Sequence, residues 1–236
     1  MNYAGMFTAE AWQEFVKIWS AGEFYNGIWA TIYSTILATL FALIIGLPLG
    51  VLLVIGEEGG VRPLPKPVMT VLNTIINILR SIPFLILMIM VIPLSRVIVG
   101  TSIGTKGMIV PLVISAFPFI SRLMESALRE IDPGIIEAAQ SMGASPFQIV
   151  MKVMLPETFP GIVGQITTAI TTIMGYGAMA GSIGGDGLGK IAISYGYNRY
   201  KPLVMLIAVI FLVVLVIIFQ TIGTKISTGS DKRLRR

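Results

Sequence analysis

The sequence predicts an all-α fold of the polytopic membrane class, with about five transmembrane helices and a helical hairpin in a cytoplasmic loop. Composition is the first reason: of 236 residues 55% are hydrophobic and only 12% charged, well away from a soluble domain. The second is that long uncharged apolar runs recur along the chain, more than one compact core of this size can hide. The third is punctuation, because Pro, Gly and the charged residues gather between those runs.

The runs place spans at about Gly27–Ile55, Pro67–Val99, Gly107–Leu123, Pro160–Ile183 and Pro202–Gly223. Met1–Gly27 lacks a basic n-region and a small-residue cleavage motif, so the first run reads as a retained span. Pro111 and Pro118 fall inside the third, which predicts a kinked helix packed among neighbours. Residues 1–26 then form an extracytoplasmic segment, 27–223 the membrane domain and 224–236 a basic cytoplasmic tail.

Lys and Arg set the orientation. Arg62, Lys66, Arg122, Arg129, Lys152, Lys225, Lys232, Arg233, Arg235 and Arg236 make ten on one side, against six on the other: Lys17, Arg96, Lys106, Lys190, Arg199 and Lys201. The N-terminus is expected outside and the C-terminus in the cytoplasm, with Asp231–Arg236 an anchor on anionic lipid. The net charge of +5 does not imply nucleic-acid binding, because the basic residues flank spans and form no stripe among exposed aromatics.

The polar interruption from Glu125 to Glu157 specifies a hairpin. Asp132 caps a helix starting at Pro133, and Met142–Gly143 supplies a left-handed stop. Ser145 caps a second helix starting at Pro146, Gln148 completes a capping box, and Pro156 is expected to end it. Helical spacing puts Ile135, Ala138, Ala139 and Met142 on one face and Glu137, Gln140 and Ser141 on another. In the second helix Phe147, Val150, Met151 and Met154 form an apolar stripe. Small residues beside a carboxylate suit a docking surface, the carboxylate fixing register. An interfacial hairpin on lipid headgroups is the plainer reading of the same pattern.

Glu137-Ala138-Ala139, then Gly143, Ile149 and Leu155-Pro156 resemble the EAA loop of permeases from bacterial ATP-binding-cassette importers. Leu79–Phe84, Ile149–Glu157, Gly175–Met179 and Tyr195–Tyr197 are similar, more narrowly, to permeases of the methionine-uptake family. The resemblance implies a homodimer of five-span permeases in the inner membrane, two ATPase subunits that carry ATP and Mg, and an extracytoplasmic binding protein delivering D- or L-methionine. It also implies that Glu137, Ala138, Ala139 and Gly143 make the coupling contact, and that Leu155 and Pro156 set the exit into the fourth span. A permease for another small amino acid or solute is the alternative.

Other motifs are weaker. Gly184–Ile191 nearly spells a phosphate-binding loop, but Ile191 stands where Ser or Thr ligates magnesium, so a flexible outer turn is expected. Gly175–Ala180 mimics a dinucleotide fingerprint inside an apolar run, where small residues serve helix packing or line a pathway. Gly46 and Gly50 are read as packing positions. Arg80 is the one ionisable residue placed well inside a span, and with Tyr176 and Gly177 it is the candidate for the translocation pathway.

The spans offer no Asp, Glu, His or Cys for catalysis or proton coupling, and the chain has no His or Cys at all. This chain is expected to bind no cofactor or metal and to perform no catalysis. An ion-coupled secondary transporter or a channel would leave the capped hairpin unexplained.

Overall fold

The computed structural model describes residues 6–231, and all their regular structure is helical. In chain order the helices are α1 Ala9–Ser20, α2 Glu23–Ile55, α3 Lys66–Ser81, α4 Phe84–Val99, α5 Gly104–Leu128, α6 Pro133–Ser141, α7 Pro146–Ile149, α8 Leu155–Glu157, α9 Phe159–Ala180, α10 Leu188–Ile191 and α11 Pro202–Ser230. π-helical turns occupy Val150–Met154 and Ala192–Tyr197, and a 3₁₀ turn occupies Gly181–Ile183. Lys232, Arg233, Arg235 and Arg236 of the expected lipid anchor lie outside the described residues.

Among the described residues α2, α5 and α11 are each long and apolar enough to cross a membrane, and α3 with α4 makes a fourth if the pair counts as one broken span. The break falls at Ile82–Pro83, where the expected second span was continuous. Ile82 is extended at ψ 124°, because the ring of a following proline disfavours helical backbone. α9, the remaining expected span, is 22 residues long, about 33 Å, but its apolar character is diluted by Gln165 and several threonines. Both Pro111 and Pro118 lie within α5. Of its apolar stretch 61% is buried, against 33% for α2 and 22% for α11, so α5 does pack among neighbours. The expected boundaries at 26/27 and 223/224 fall within α2 and α11, both of which run further.

The chain divides into two compact units. One comprises residues up to Thr39, Pro83–Ile114 and Ile170–Phe219. Thr8 caps α1 by accepting from the Ala11 amide at 3.3 Å. Phe15 meets Phe24 edge-on at 5.5 Å and Trp19 stacks on Phe211 at 5.8 Å, pinning α1 to α2 and α11. The core beneath is Ile18, Phe24, Leu188, Ile191, Ala192, Val204 and Ala208.

The glycine-rich turn from Gly184 to Gly189 is not the flexible loop expected. Gly185, Gly187, Leu188 and Gly189 are buried, and a Cβ on Gly189 would overlap the backbone of Ala178. Gly187 adopts φ 113°, and the Leu188 amide donates to Thr31 Oγ1 at 3.0 Å. Asp186 accepts from the Thr105 amide at 2.9 Å, from the Thr105 hydroxyl at 3.2 Å and from Lys190 Nζ at 2.8 Å. Burial opposes the Asp186 charge, but Lys190 and Thr105 outweigh it and hold the carboxyl below the usual carboxylate range.

The second unit comprises Leu40–Ile82, Ser115–Ala169 and residues from Gln220. Gly46 and Gly50 let α2 approach α5 closely: a Cβ would stand 2.7 Å from Ile120 and 2.6 Å from Met124. They are packing glycines, as expected. Gly223 meets Thr167 in the same way, and Ser227 donates to the Pro160 carbonyl at 2.8 Å.

Gly189→Ala lowers the thermal midpoint in detergent by an overpacking cost of about 1–3 kcal/mol, whereas Gly175→Ala, whose Cβ meets nothing within 4 Å, is neutral or gains about 0.5–1 kcal/mol of helix propensity. Asp186→Asn costs about 1 kcal/mol at pH 7, discounted for partial exposure. A carboxyl with a lowered folded pKa contributes above its unfolded value and loses that contribution as pH falls through the folded one. The midpoints of wild type and Asp186→Asn therefore converge as pH is lowered from about 4, and a constant difference down to the end of the titration would refute the role of this charge.

Candidate coupling surface

The hairpin between α5 and α9 is built by its caps. Asp132 accepts from the Gly134 amide at 2.8 Å, and Pro133 occupies the first turn of α6, where its missing N–H costs nothing. At the other end the Met142 amide donates to Ala138 O at 3.1 Å and the Gly143 amide to Gln140 O at 2.9 Å. Gly143 takes φ 77°, the left-handed stop that glycine adopts without a Cβ penalty. Ser145 and Gln148 form the reciprocal box, at 2.8 Å from the Ser145 amide to Gln148 Oε1 and 3.4 Å from the Gln148 amide to Ser145 Oγ.

Pro156 does not end the second helix, contrary to expectation. α7 passes into the π turn Val150–Met154, in which the Leu155 amide donates to Val150 O, and helix resumes over Leu155–Glu157. A proline ring clashes with the carbonyl four residues back in a regular α-helix. The wider π turn precedes Pro156 and relieves that crowding. The ending comes instead at Thr158, whose hydroxyl donates to Met154 O at 2.7 Å.

Burial separates the hairpin's residues into two faces, and the division differs from the helical-wheel reading. Ala139, expected at the docking face with Ala138, is only 4% exposed and packs with Leu128, Ile131, Ile149, Val150 and Met154. Val51, Val54 and Ile55 of α2 close over this cluster. Glu137, Ala138 and Gly143 are exposed, as are Ile135, Met151 and, on either side of the turn, Met142 at 81% and Phe147 at 74%. Leu155 is half-buried and Pro156 exposed. The wheel drawn for α6 alone omitted the second helix. Its Ile149, Val150 and Met154 draw Ala139 inward and leave Ala138 outside.

The pathway candidates fall in different units. Arg80 is exposed in the last turn of α3, just before the break at Ile82–Pro83, so it marks a helix end and is not embedded within a continuous span. It belongs to the second unit, and Tyr176 and Gly177 to the first. The Tyr176 ring stacks on Phe84 at 4.5 Å with 5° between planes. Gly177 is buried, yet no atom lies within 4 Å of where its Cβ would stand.

An ion-pair network at the base of the hairpin went unnoticed in the sequence. Arg129 binds Glu57 through both terminal nitrogens, at 2.9 and 2.7 Å, and also reaches Glu125 at 2.9 Å. Arg122 binds the other oxygen of Glu125 at 2.7 Å. The sequence signal for it is the set of opposite charges at i,i+3 and i,i+4 over 122–129, which also serves as a marker of orientation.

Known proteins resemble the chain on the scale of its full length. Residues 46–236 match the family model described as binding-protein-dependent transport system inner membrane component. The probable D-methionine transport system permease protein MetI of Vibrio cholerae is 48% identical over 183 residues, covering 78% of this chain and 80% of that protein. The methionine import system permease protein MetP of Bacillus subtilis is 43% identical over 168 residues, covering 71% and 76%. A solved structure of the MetNI methionine ABC transporter in an inward-facing conformation superposes with a TM-score of 0.87 at 45% identity, covering 90% of this chain and 98% of that one. An amino acid ABC transporter crystallised with histidines shares the fold, with a TM-score of 0.73 at 18% identity over 91% and 97%. With its own helices, its capped loop and this extent of identity, the chain belongs to the family of binding-protein-dependent transport system inner membrane components.

Proposed function

We propose that this chain is the permease subunit of an ATP-binding-cassette importer for D- and L-methionine, driven by a separate ATPase subunit that carries ATP and Mg. The observation that carries the coupling role is the hairpin's outer face. Ile135, Ala138, Met142, Phe147 and Met151 are exposed apolar or small positions around the exposed carboxylate of Glu137, on a doubly capped scaffold. An exposed apolar cluster with one charged group fits a cleft in a protein partner. The substrate follows from the relatives' 43–48% identity.

In this reading two permease copies pair about a twofold axis, with one ATPase beneath each and an extracytoplasmic binding protein delivering cargo. The N-terminus is outside and the tail cytoplasmic, in keeping with the ten-to-six bias of Lys and Arg. ATP closes the ATPase pair, the clefts carry the hairpins, and the spans exchange inward-facing for outward-facing arrangements. Glu137, Ala138 and Gly143 meet the partner. Ala139 acts one layer below as the small residue on which the helix seats, and Leu155 and Pro156 shape the passage toward α9. Arg80, Tyr176 and Gly177 remain the proposed pathway residues.

Co-expression with the ATPase subunit tests the coupling face. Wild type is expected to co-purify with it, and Glu137→Lys or Phe147→Asp to bind it about thirtyfold more weakly, the loss of an interface anchor of about 2 kcal/mol. A wild-type chain that inserts and never retains an ATPase overturns the reading. In proteoliposomes holding the assembled importer and its binding protein, uptake of labelled methionine is expected to be competed by unlabelled D- and L-methionine. Equal competition by glutamine or histidine would overturn the substrate assignment.

A further inference from the structure

The network beside the hairpin has the shape of a mechanical link. Two sets of bonds cross between elements, Glu57 to Arg129 at 2.9 and 2.7 Å and Arg122 Nη2 to the Asn73 and Asn77 side-chain oxygens at 2.7 and 3.0 Å, while Glu125 holds both arginines along the end of α5, Arg129 on Oε1 at 2.9 Å and Arg122 on Oε2 at 2.7 Å. Arg129 lies three residues before Asp132, the cap of α6. Asn73 and Asn77 lie on α3, and Asn77 is just over one turn before the break at Ile82–Pro83. The network therefore joins the hairpin's base to the helix that ends at the broken span.

A groove of about 790 Å³ opens along this face, bordered by Met69, Asn73, Asn77, Glu57, Glu125 and Arg129, and the polar side chains run along it. Glu125 is the shared centre, and at 13% side-chain exposure it is the most enclosed charge of the set. The outer pair, Arg129 with Glu57, is exposed to water. Exposed pairs contribute little net stability and can be remade in each cycle, while their forked geometry still fixes direction.

From this arrangement we infer that Glu125 is a positioning residue that orients Arg129 on Glu57 and Arg122 on α3, so that displacement of the coupling hairpin reaches α3 and substrate movement stays tied to ATP hydrolysis. The inference rests on the importer reading. The carboxylate is committed to the two arginines, and its effect lies in the coupling between two sites.

The test uses the complete importer with its ATPase and binding protein in proteoliposomes, with complex recovery, hydrolysis and methionine uptake measured on the same preparations. Glu125→Gln is expected to leave complex recovery unchanged and hydrolysis within about twofold, while methionine moved per ATP falls about fivefold or more, the low end of typical coupling energies. The double variant Asn73→Ala with Asn77→Ala cuts only the far end of the network and is expected to uncouple likewise. Asn73→Asp keeps an acceptor for Arg122 and is expected to keep the wild-type ratio. Hydrolysis and uptake falling in proportion, or a ratio unchanged in both uncoupling variants, overturns the inference while leaving the importer reading in place. A wild-type chain that binds no ATPase overturns the importer reading itself, and this inference with it.

Discussion

The hairpin presents a defined outer face because its inner face is buried, and the remaining functional geometry depends on that anchoring. Two short helices of nine and four residues have no independent stability in water, where an isolated helix needs about 12–15 residues to be even marginal. Ala139, Ile149, Val150 and Met154 supply what is missing by packing on Leu128 and Ile131. Their burial forces Glu137, Ala138, Met142 and Phe147 outward. The caps at Asp132, Gly143 and Ser145 satisfy the backbone groups that so short a helix leaves open at its ends.

Close backbone approach is the companion constraint within each unit. In lipid each unsatisfied backbone group is expensive, and van der Waals contact between helices takes the place of hydrophobic driving force. Gly46 and Gly50 bring α2 against α5. Gly181 and Gly189 do the same where the 3₁₀ turn meets α10, each with backbone where a Cβ would stand. This explains why a sequence resembling a nucleotide-binding loop folds into a compact turn. Backbone stands where a Cβ on Gly185 or Gly189 would lie, and its Asp186 is committed to Thr105 and Lys190.

What was legible in the sequence was what local chemistry decides. Asp132-Pro133, Gly143 and Ser145-x-x-Gln148 announce caps that need no tertiary information, and apolar runs announce spans by length alone. The inward turn of Ala139 was not legible from its own helix, since Ala138 and Ala139 are adjacent, similar residues and only the packing of the second helix decides between them. Pro156 misled for a related reason. Proline specifies an obstacle, but whether the chain stops or widens into a π turn depends on whether neighbours hold Val150 and Met154 in place. A continuous second span would embed Arg80 as a charge, whereas the break at Ile82–Pro83 puts it at a helix end. The network around Glu125 was legible as a charge pattern on α5, whereas its reach to Glu57 and Asn73, about 50–70 positions away, belongs to the tertiary fold.

Contact chemistry also separates what moves together from what can be rearranged. Apolar packing of the hairpin on the ends of α2 and α5 would leave cavities if it slid, so the hairpin and those helix ends form one packed body. The polar network from Glu57 to Asn77 offers water or an alternative acceptor to each group it releases, and its partly exposed pairs have small net energies. On the proposed importer reading, a transport cycle needs both kinds of joint: one that stays closed under load, and one whose two states differ little enough for a partner to choose between them. In the second unit the first kind is apolar and lies beneath α6, and the second is ionic and lies along α3.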